Sequence, residues 1–393
     1  MRRWHVLHDA WWRLATQHQT HSFSDALACR VLQMSSVPFR AAVGLRNLAY
    51  DRGWARRVVL PCPVISVGNL TVGGTGKTAC VELIARKLAA RGARVCVLSR
   101  GYGGFRRNYW LRGEGGELAV DGQRGASREG LADEPQLLAA RLEGVPVVVG
   151  ARRDRTGRQA CERFQPTVLI LDDGFQHRRV ARQCDIVLVQ ARMPFGGWPL
   201  LPRGPMREPL SSLRRAQLVI ITKADEAFER LGAVGDRLHA LAPEAALVTA
   251  VHEPRHLVDG LTGARHDPSR LAGRRVALLS SIGDPEGFDA TVRRLQAAVS
   301  WHQTLPDHYR YGPDDWDALR ARVQGGAVEA VLTTEKDWVR LQPCTVNRPP
   351  LAVPLWVLSV QMKLLSGEDE LDARLAAVHS RQDGGRAALP SAA

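Results

Sequence analysis

The stretch VGNLTVGGTGKT, Val67–Thr78, lies between an apolar run, VISV at Val64–Val67, and a segment in which Val81, Ile84, Ala85 and Leu88 recur at helical spacing. Gly92 stands where it can cap that helix. A strand, a glycine-rich turn and a helix in this order let backbone N–H groups converge on phosphate oxygens. A lysine then reaches the outer phosphates and a hydroxyl reaches the metal. Gly73, Gly74 and Gly76 permit the close backbone approach, Lys77 supplies the charge and Thr78 the hydroxyl. The common phosphate-loop pattern, G-x-x-x-x-G-K-[ST], asks for glycine at the position of Thr71, so the first bend must be made differently.

Outward from this loop, short β-branched runs alternate with helical patterns: RVCVLS (94–99), PVVVG (146–150), TVLILD (167–172), DIVLVQ (185–190) and LVIIT (218–222). Runs this apolar predict parallel strands covered on both faces. The second half repeats the alternation more weakly, with strands near 246–250, 275–279, 328–333 and 355–360 and a helix over Pro285–Val299. The fold class expected is α/β: a kinase-like, mostly parallel sheet flanked by helices, a smaller second α/β domain, and an N-terminal amphipathic helical segment. The expected divisions are 1–57 for that segment, 58–235 for the nucleotide-binding core, 236–365 for the smaller domain and 366–393 for a helix end and polar tail. A linker is expected between Asp225 and Leu247.

The chain has 393 residues, 45% of them apolar, which suits a globular protein with a proper core. A formal charge of +14 points to anionic partners: nucleic acid, acidic lipid or a phosphorylated substrate. Seven scattered cysteines without a C-x-x-C pair argue against a zinc knuckle or a disulfide framework. No secretory signal is evident, and Asp25, Arg30 and Arg40 interrupt every window long enough to span a bilayer. The first 57 residues contain arginines but no lysine, interleaved with Trp4, Trp11, Trp12, Phe23, Phe39 and Trp54. That mix suits helices lying in a membrane interface, and equally a basic helix packed on the next domain.

Five other stretches carry polar groups suited to chemistry. VLILDDGFQHRR, Val168–Arg179, ends an apolar strand in Asp172 and Asp173, the way phosphate-loop enzymes hold magnesium, with Gln176 and His177 at the same edge. In LADEPQLLAARLEG, Leu131–Gly144, Pro135 suits the first helical position, which puts Asp133 and Glu134 at a helix N-terminus. Simple capping explains them; so does a base and a metal carboxylate directed into a ligand cleft. LSRGYGG (98–104) and LLPRGPMREPL (200–210) place Arg100, Tyr102, Arg203, Arg207 and Glu208 in loops, where arginine forks can bind phosphate, although by themselves they read as surface arginines in a chain rich in them. LPDHYRYGPDDW (305–316) sets His308 beside Asp307, an arrangement that is structural unless the two domains close over a shared cleft.

Taken in order, VGNLTVGGTGKT, LSRGYGG, DEP, LDDGFQHRR, GPMREP, LPDHY and TTEKD resemble the tetraacyldisaccharide 4'-kinase family, over about Leu48 to Leu341. That family's loop has the form G-N-x-T-V-G-G-T-G-K-T, which accounts for Thr71. The resemblance implies an ATP- and magnesium-dependent enzyme. It would phosphorylate the 4'-hydroxyl of an acylated glucosamine disaccharide 1-phosphate in lipid A synthesis, at the cytoplasmic face of a Gram-negative inner membrane. It implies that Asn69, Thr71, Gly73, Gly74, Thr75, Gly76, Lys77 and Thr78 bind the nucleotide. Thr78, Asp172, Asp173 and Gln176 would hold the metal and its waters, assisted by Glu134. Asp133 would be the base in a dyad with His308, and Arg100, Tyr102, Arg207 and Glu208 would steady the substrate or the transferring phosphate. A lipid acceptor accounts for the basic, aromatic N-terminus, and implies peripheral or monotopic attachment of a monomer to an anionic membrane, with no nucleic acid partner.

The chain departs from the family pattern at Ala79 for proline, LADEP for GDEP, FGGWP for F-G-N-G and SIGDP for I-A-N-P, none of which removes an implied catalytic group. Two other classes compete. TKAD, Thr222–Asp225, is similar to the guanine-reading N-K-x-D, as in a phosphate-loop GTPase or metallochaperone, and the +14 charge suits a nucleic-acid-binding ATPase.

Overall fold

The computed structural model describes residues 11, 23–101, 108–112, 117–120, 123–124, 130–194 and 199–385. Tyr102, Gly197 and Trp198 lie outside them, as do residues 1–10 and 12–22 of the N-terminal segment. The chain divides into two compact units. One comprises Met1–Gly130, Leu138–Val251 and Met362–Ala393, and the other Leu131–Leu137 and His252–Gln361.

From Phe23 onward the first unit contains helix α1 (Phe23–Asp51) and strand β1 (Val64–Asn69), followed by α2 (Lys77–Ala90) and β2 (Val95–Ser99). A meander, β3 (Tyr109–Arg112), β4 (Glu117–Val120) and β5 (Gln123–Arg124), precedes α3 (Asp133–Arg141), whose residues as far as Leu137 belong to the second unit, and β6 (Val147–Val149). Then come α4 (Arg153–Phe164), β7 (Val168–Asp172), β8 (Cys184–Gln190), β9 (Leu218–Thr222), α5 (Leu231–Leu241) and the start of β10 (Ala246–Asp259). Helix α5 and the start of β10 thus occupy much of the stretch expected to hold a linker. The strands order as β10-β9-β8-β1-β7-β2-β6-β3-β4-β5, parallel as far as β6 and antiparallel beyond it. Every residue of β1, β2, β7 and β9 is buried, as their unbroken apolar runs require of strands covered on both faces. The antiparallel meander was not foreseen: its strands are four residues or fewer and interrupted by polar positions.

The second unit contains β11 (Arg265–His266), β12 (Arg275–Ser280), α6 (Pro285–Arg294), β13 (Ala298–Thr304), α7 (Pro313–Val323), β14 (Ala330–Thr334), α8 (Glu335–Leu341) and most of β15 (Leu355–Ser366). Strands β13, β12, β14 and β15 pair in that order, all parallel. Side chains alternate across a strand, and here both faces are filled. Ala277, Leu279, Val331 and Val357 join Trp316, Leu319 and Val323 of α7, while Val276, Leu278, Leu332 and Leu358 join Phe288 and Val292 of α6.

The helix expected over Pro285–Val299 ends at Arg294. Gln296 has φ 62, a left-handed turn that breaks the helix, and Ala298–Thr304 forms the edge strand β13. Leu295 and Val299 still pack against the cluster that α6 covers, which is why the apolar period ran on past the helix end. Helix α9 (Glu368–Gly385) returns to the first unit, with Glu368 and Asp372 accepting from Lys87 of α2. All seven cysteines are free thiols.

Candidate active site

Strand β1 runs between β7 and β8 and delivers the phosphate loop to their shared C-terminal edge. Its last turn passes so close to the chain after β7 that a Cβ at Gly68 would lie 2.6 Å from Phe175 Cβ. Gly73 (φ 113) and Gly76 (φ 86) take left-handed conformations that a side chain would strain, and Gly76 precedes the first residue of α2. The fourteen-residue helix that begins at Lys77 therefore presents its first-turn N–H groups and positive dipole end at the loop.

Thr71, where the common pattern has glycine, lies in an antiparallel bridge with Met206. Val72 N donates to Pro205 O at 2.8 Å and Arg207 N to Leu70 O at 2.7 Å. Pairing with the 205–207 segment thus makes the first bend in an extended backbone that any residue can adopt. It also brings Arg207 to the loop. Inside the loop, Asn69 Nδ2 donates to Thr75 Oγ1 at 2.9 Å, and Lys77 Nζ approaches Asn69 Oδ1 at 3.4 Å. Asn69, Thr75 and Thr78 are all buried.

At the end of β7, Asp172 is buried and accepts from Ser99 Oγ at 3.0 Å. Asp173 has φ 48 and receives Arg207 Nη1 on both carboxylate oxygens at 2.8 Å, with Lys77 Nζ at 3.7 Å. Burial alone would raise the Asp173 carboxyl, but Lys77 and Arg207 outweigh it and hold it at about 2. Gln176 Nε2 donates to Asn69 O at 2.9 Å, and its Oε1 lies 3.5 Å from Arg207. His177 is kept neutral by burial and by nearby Arg153 and Arg182, which bring it down to about 4.

Sequence reasoning missed Arg153. This side chain, 3% exposed, donates from Nη1 to Asp172 O at 2.6 Å and to Asp173 O at 3.0 Å, pinning the backbone that aims both carboxylates. Burial lowers the guanidinium to about 10, and it stays protonated. The signal available was a charged residue heading α4, in the otherwise unread stretch GARRDR.

Arg100 is exposed just beyond β2. Glu208, expected beside substrate, is wholly buried instead. It meets Arg46 at 3.0 Å, Asn47 at 2.9 Å and Arg215 at 2.9 Å, which fastens α1 to the loop that carries Arg207.

The second unit holds the other group of candidates. Asp133 and Glu134 open α3, as Pro135 led one to expect, and Asp133 Oδ1 accepts from Glu134 N at 3.1 Å. His308 Nδ1 lies 3.2 Å from Asp133 Oδ2, and Arg340 Nε lies 3.6 Å from the same oxygen. Glu134 Oε1 accepts from Lys336 Nζ at 2.5 Å. Burial pushes the Asp133 carboxyl up, but the His308 hydrogen bond with the charges of His308, Arg340 and Lys336 takes it down to about 2. His308 is raised by the same hydrogen bond, against the opposing effect of burial. Lys336 lies within the motif TTEKD and Arg340 just after it, and sequence reading gave neither a separate role.

TKAD ends β9 with Lys223 in a left-handed conformation, 3.9 Å from Glu226. Among the described residues, no group of three or more histidine, cysteine, aspartate or glutamate side chains is arranged to hold a metal ion.

Comparison with known proteins agrees with these features. The family model described as tetraacyldisaccharide-1-P 4'-kinase matches residues 28–380. A tetraacyldisaccharide 4'-kinase of Anaeromyxobacter dehalogenans (strain 2CP-C) is 43% identical over 375 residues, 94% of each chain. One from Syntrophus aciditrophicus (strain SB) is 40% identical over 342 residues, 85% of this chain and 89% of that one. Among solved structures, LpxK from Aquifex aeolicus, crystallised in complex with ATP, superposes with a TM-score of 0.68 at 29% identity, covering 90% of this chain and 99% of that one. With a motif order, a loop and a fold that all agree, this chain belongs to the tetraacyldisaccharide-1-P 4'-kinase family.

Proposed function

We propose that the protein transfers the γ-phosphoryl group of ATP to the 4'-hydroxyl of a tetraacylated glucosamine disaccharide 1-phosphate, the lipid A precursor. Family membership supports the substrate class. The observation that carries the reading is the carboxylate of Asp133 held 3.2 Å from His308. An alcohol acceptor needs such a base; a nucleotide switch does not.

In this reading the first unit binds the donor. The loop N–H groups, from Asn69 through Thr78, cradle the phosphates and Lys77 neutralises their outer oxygens. Arg207 exchanges part of its hold on Asp173 for the transferring phosphate, and Arg100 and Tyr102 steady substrate. Thr78, Asp172, Asp173 and Gln176 would hold magnesium. Their oxygen donors suit that ion, which takes one or two carboxylates and completes its shell with water and substrate phosphates. Bound there, magnesium supplies positive charge against the phosphate oxygens. Glu134, oriented by Lys336, is an auxiliary oxygen donor.

The second unit activates the acceptor. Asp133 accepts the proton of the 4'-hydroxyl as the new O–P bond forms and the bond from phosphorus to the β-phosphate oxygen breaks, releasing ADP. His308 orients the carboxylate and shares the proton. Because most of the barrier is charge and placement, a base already ionised at neutral pH needs only to be correctly aimed.

The substrate's acyl chains also direct the protein, acting as a monomer, to the anionic cytoplasmic face of the inner membrane. Among the described residues no helix is long and apolar enough to cross a membrane. Helix α1 nevertheless exposes Leu27, Val31, Met34, Val37, Leu45 and Leu48 along one face, while Ser36, Val43 and Asn47 on the opposite face dock on the first unit. A helix so divided lies in the interface with its apolar face toward lipid, and the +14 charge favours an acidic surface.

Transfer of labelled γ-phosphate from ATP to detergent-dispersed tetraacyldisaccharide 1-phosphate tests the activity. Labelled lipid is the result expected; nucleotide hydrolysis without labelled lipid overturns the reading. Flotation with acidic vesicles tests attachment, which Val31→Glu with Met34→Glu should weaken.

A further inference from the structure

Asp337 is a wholly buried carboxylate, and an unusually crowded one. It accepts from Ser281 N at 2.9 Å, Ser281 Oγ at 2.5 Å, Tyr311 OH at 3.0 Å, Thr334 Oγ1 at 2.6 Å and Arg340 Nη2 at 3.0 Å. A buried ion pair gives no general gain in stability over apolar packing, because desolvating both charges offsets their attraction. What such a pair does provide is fixed geometry, and two chains of hydrogen bonds and ion pairs lead from it to the Asp133–His308 pair.

One runs through Arg340. Held by Asp337, its guanidinium also donates to Ser281 O at 3.1 Å and to Tyr309 O at 3.4 Å, while Nε donates to Lys336 O at 3.1 Å and stands at ion-pair distance, 3.6 Å, from Asp133 Oδ2, the oxygen that His308 engages. The carboxylate is thus gripped from two sides. The other runs through Ser281, whose carbonyl accepts from His308 N at 3.3 Å. His308 has φ 60, a conformation a non-glycine residue keeps only when its surroundings impose it.

We propose that Asp337 and Arg340 are positioning residues of this kinase, a buried ion pair that sets the orientation of Asp133 through the guanidinium and of His308 through the Ser281 turn. The inference rests on the reading of Asp133 as the base. It assigns a task to the last residue of TTEKD and to the turn that follows, beside the orienting of Glu134 by Lys336. Planarity matters as much as charge: the fork reaches Asp337, three carbonyls and Asp133 together, which an ammonium cannot do.

The test is a double-mutant cycle in the lipid-phosphorylation assay with the full chain, comparing Arg340→Gln, Asp133→Asn and the two combined. Misaiming a reacting group by about an ångström costs on the order of 10²-fold. Arg340→Gln is therefore expected to lower kcat about 10- to 100-fold with KM for ATP unchanged. Combined with Asp133→Asn it should add less than about twofold, because groups acting through one another are not additive. Arg340→Lys, which keeps the charge in a smaller change, should fall between Arg340→Gln and the native chain. Asp337→Asn should reproduce the kcat loss. Multiplicative losses in the double variant would overturn the inference while leaving the base in place. So would a lowered melting temperature with unaltered kcat. If Asp133→Asn by itself leaves kcat unchanged, the base assignment fails first and the inference falls with it.

Discussion

The carboxylates of Asp173 and Asp133 are both brought to about 2 against the effect of burial, yet by different company. Asp173 faces the ammonium of Lys77 and the guanidinium of Arg207. Asp133 faces Arg340 and Lys336 too, but its hydrogen bond is to His308, the side chain whose charge changes near neutrality. The site read as gripping phosphate in the first unit sets a lysine and an arginine against its carboxylate. The site read as accepting a proton in the second unit has a partner that can share one. The same carboxylate chemistry is thus tuned by an ammonium and a guanidinium in one region and with the help of an imidazole in the other.

The comparison breaks most readily at the base. Asp133→Asn should lower kcat for lipid phosphorylation by about 10²- to 10⁴-fold, the usual range for a lost general base, with ATP affinity intact. A loss confined to KM for ATP would place Asp133 with the donor instead. Lys77→Ala comes next, at about 10²- to 10³-fold in kcat, the scale of one removed charge-stabilising donor. Its mark should be weakened nucleotide binding in an equilibrium titration, which Asp133→Asn should not show.

Arg153→Met probes the frame beneath Asp172 and Asp173. Two carbonyls would lose their buried donor, so unfolding in urea should become easier by about 1–3 kcal/mol, with phosphoryl transfer slowed as well. Unchanged stability would mean that the β7 end holds itself.

Dependence on pH sharpens the contrast. The His308 pKa is raised, so its share of stability is fully present below the unfolded value of about 6.5 and is lost as pH rises through the higher folded value. Asp133 is lowered, so its share is fully present above about 3.9, the unfolded value, and disappears as pH falls toward 2. The melting-temperature gap between the native chain and His308→Gln should therefore be widest between these limits and narrow above neutrality. The gap for Arg207→Gln, at the Asp173 site, should stay flat from about pH 6 to 9, because the Asp173 carboxyl, held at about 2, titrates far below that range. A His308→Gln gap that widens with rising pH would contradict the assigned charge on His308. The smallest effect is expected from Thr71→Gly, which restores the common loop pattern. It should cost about 0.5–1 kcal/mol of stability through chain entropy and leave ATP affinity nearly unchanged, since the 205–207 segment already makes the bend.

The two regions also differ in how much of them could be read from the chain before folding. The phosphate loop is contiguous, and its strand, glycines, lysine and helix follow one another because their functions depend on neighbouring backbone. The parallel strands were legible for the same local reason: residues such as Val168–Asp172 are apolar almost throughout because both faces are covered. Where local signals overlapped, reading failed, as at Val299, which keeps helical spacing but lies in a strand beyond the left-handed turn at Gln296.

The sequence by itself determined the α/β class, the nucleotide loop and the placement of Asp133 and Glu134 at a helix start, since each depends on interactions within a few residues. Tertiary structure alone decided that Thr71 bends by pairing with Met206, that Glu208 fastens α1 to the loop carrying Arg207, and that Arg153 braces the end of β7. It also decided that Asp337 and Arg340 stand behind Asp133 and His308. The physical reason is that a buried charge is tolerated only where several donors converge on it, and those donors come from segments far apart in the chain.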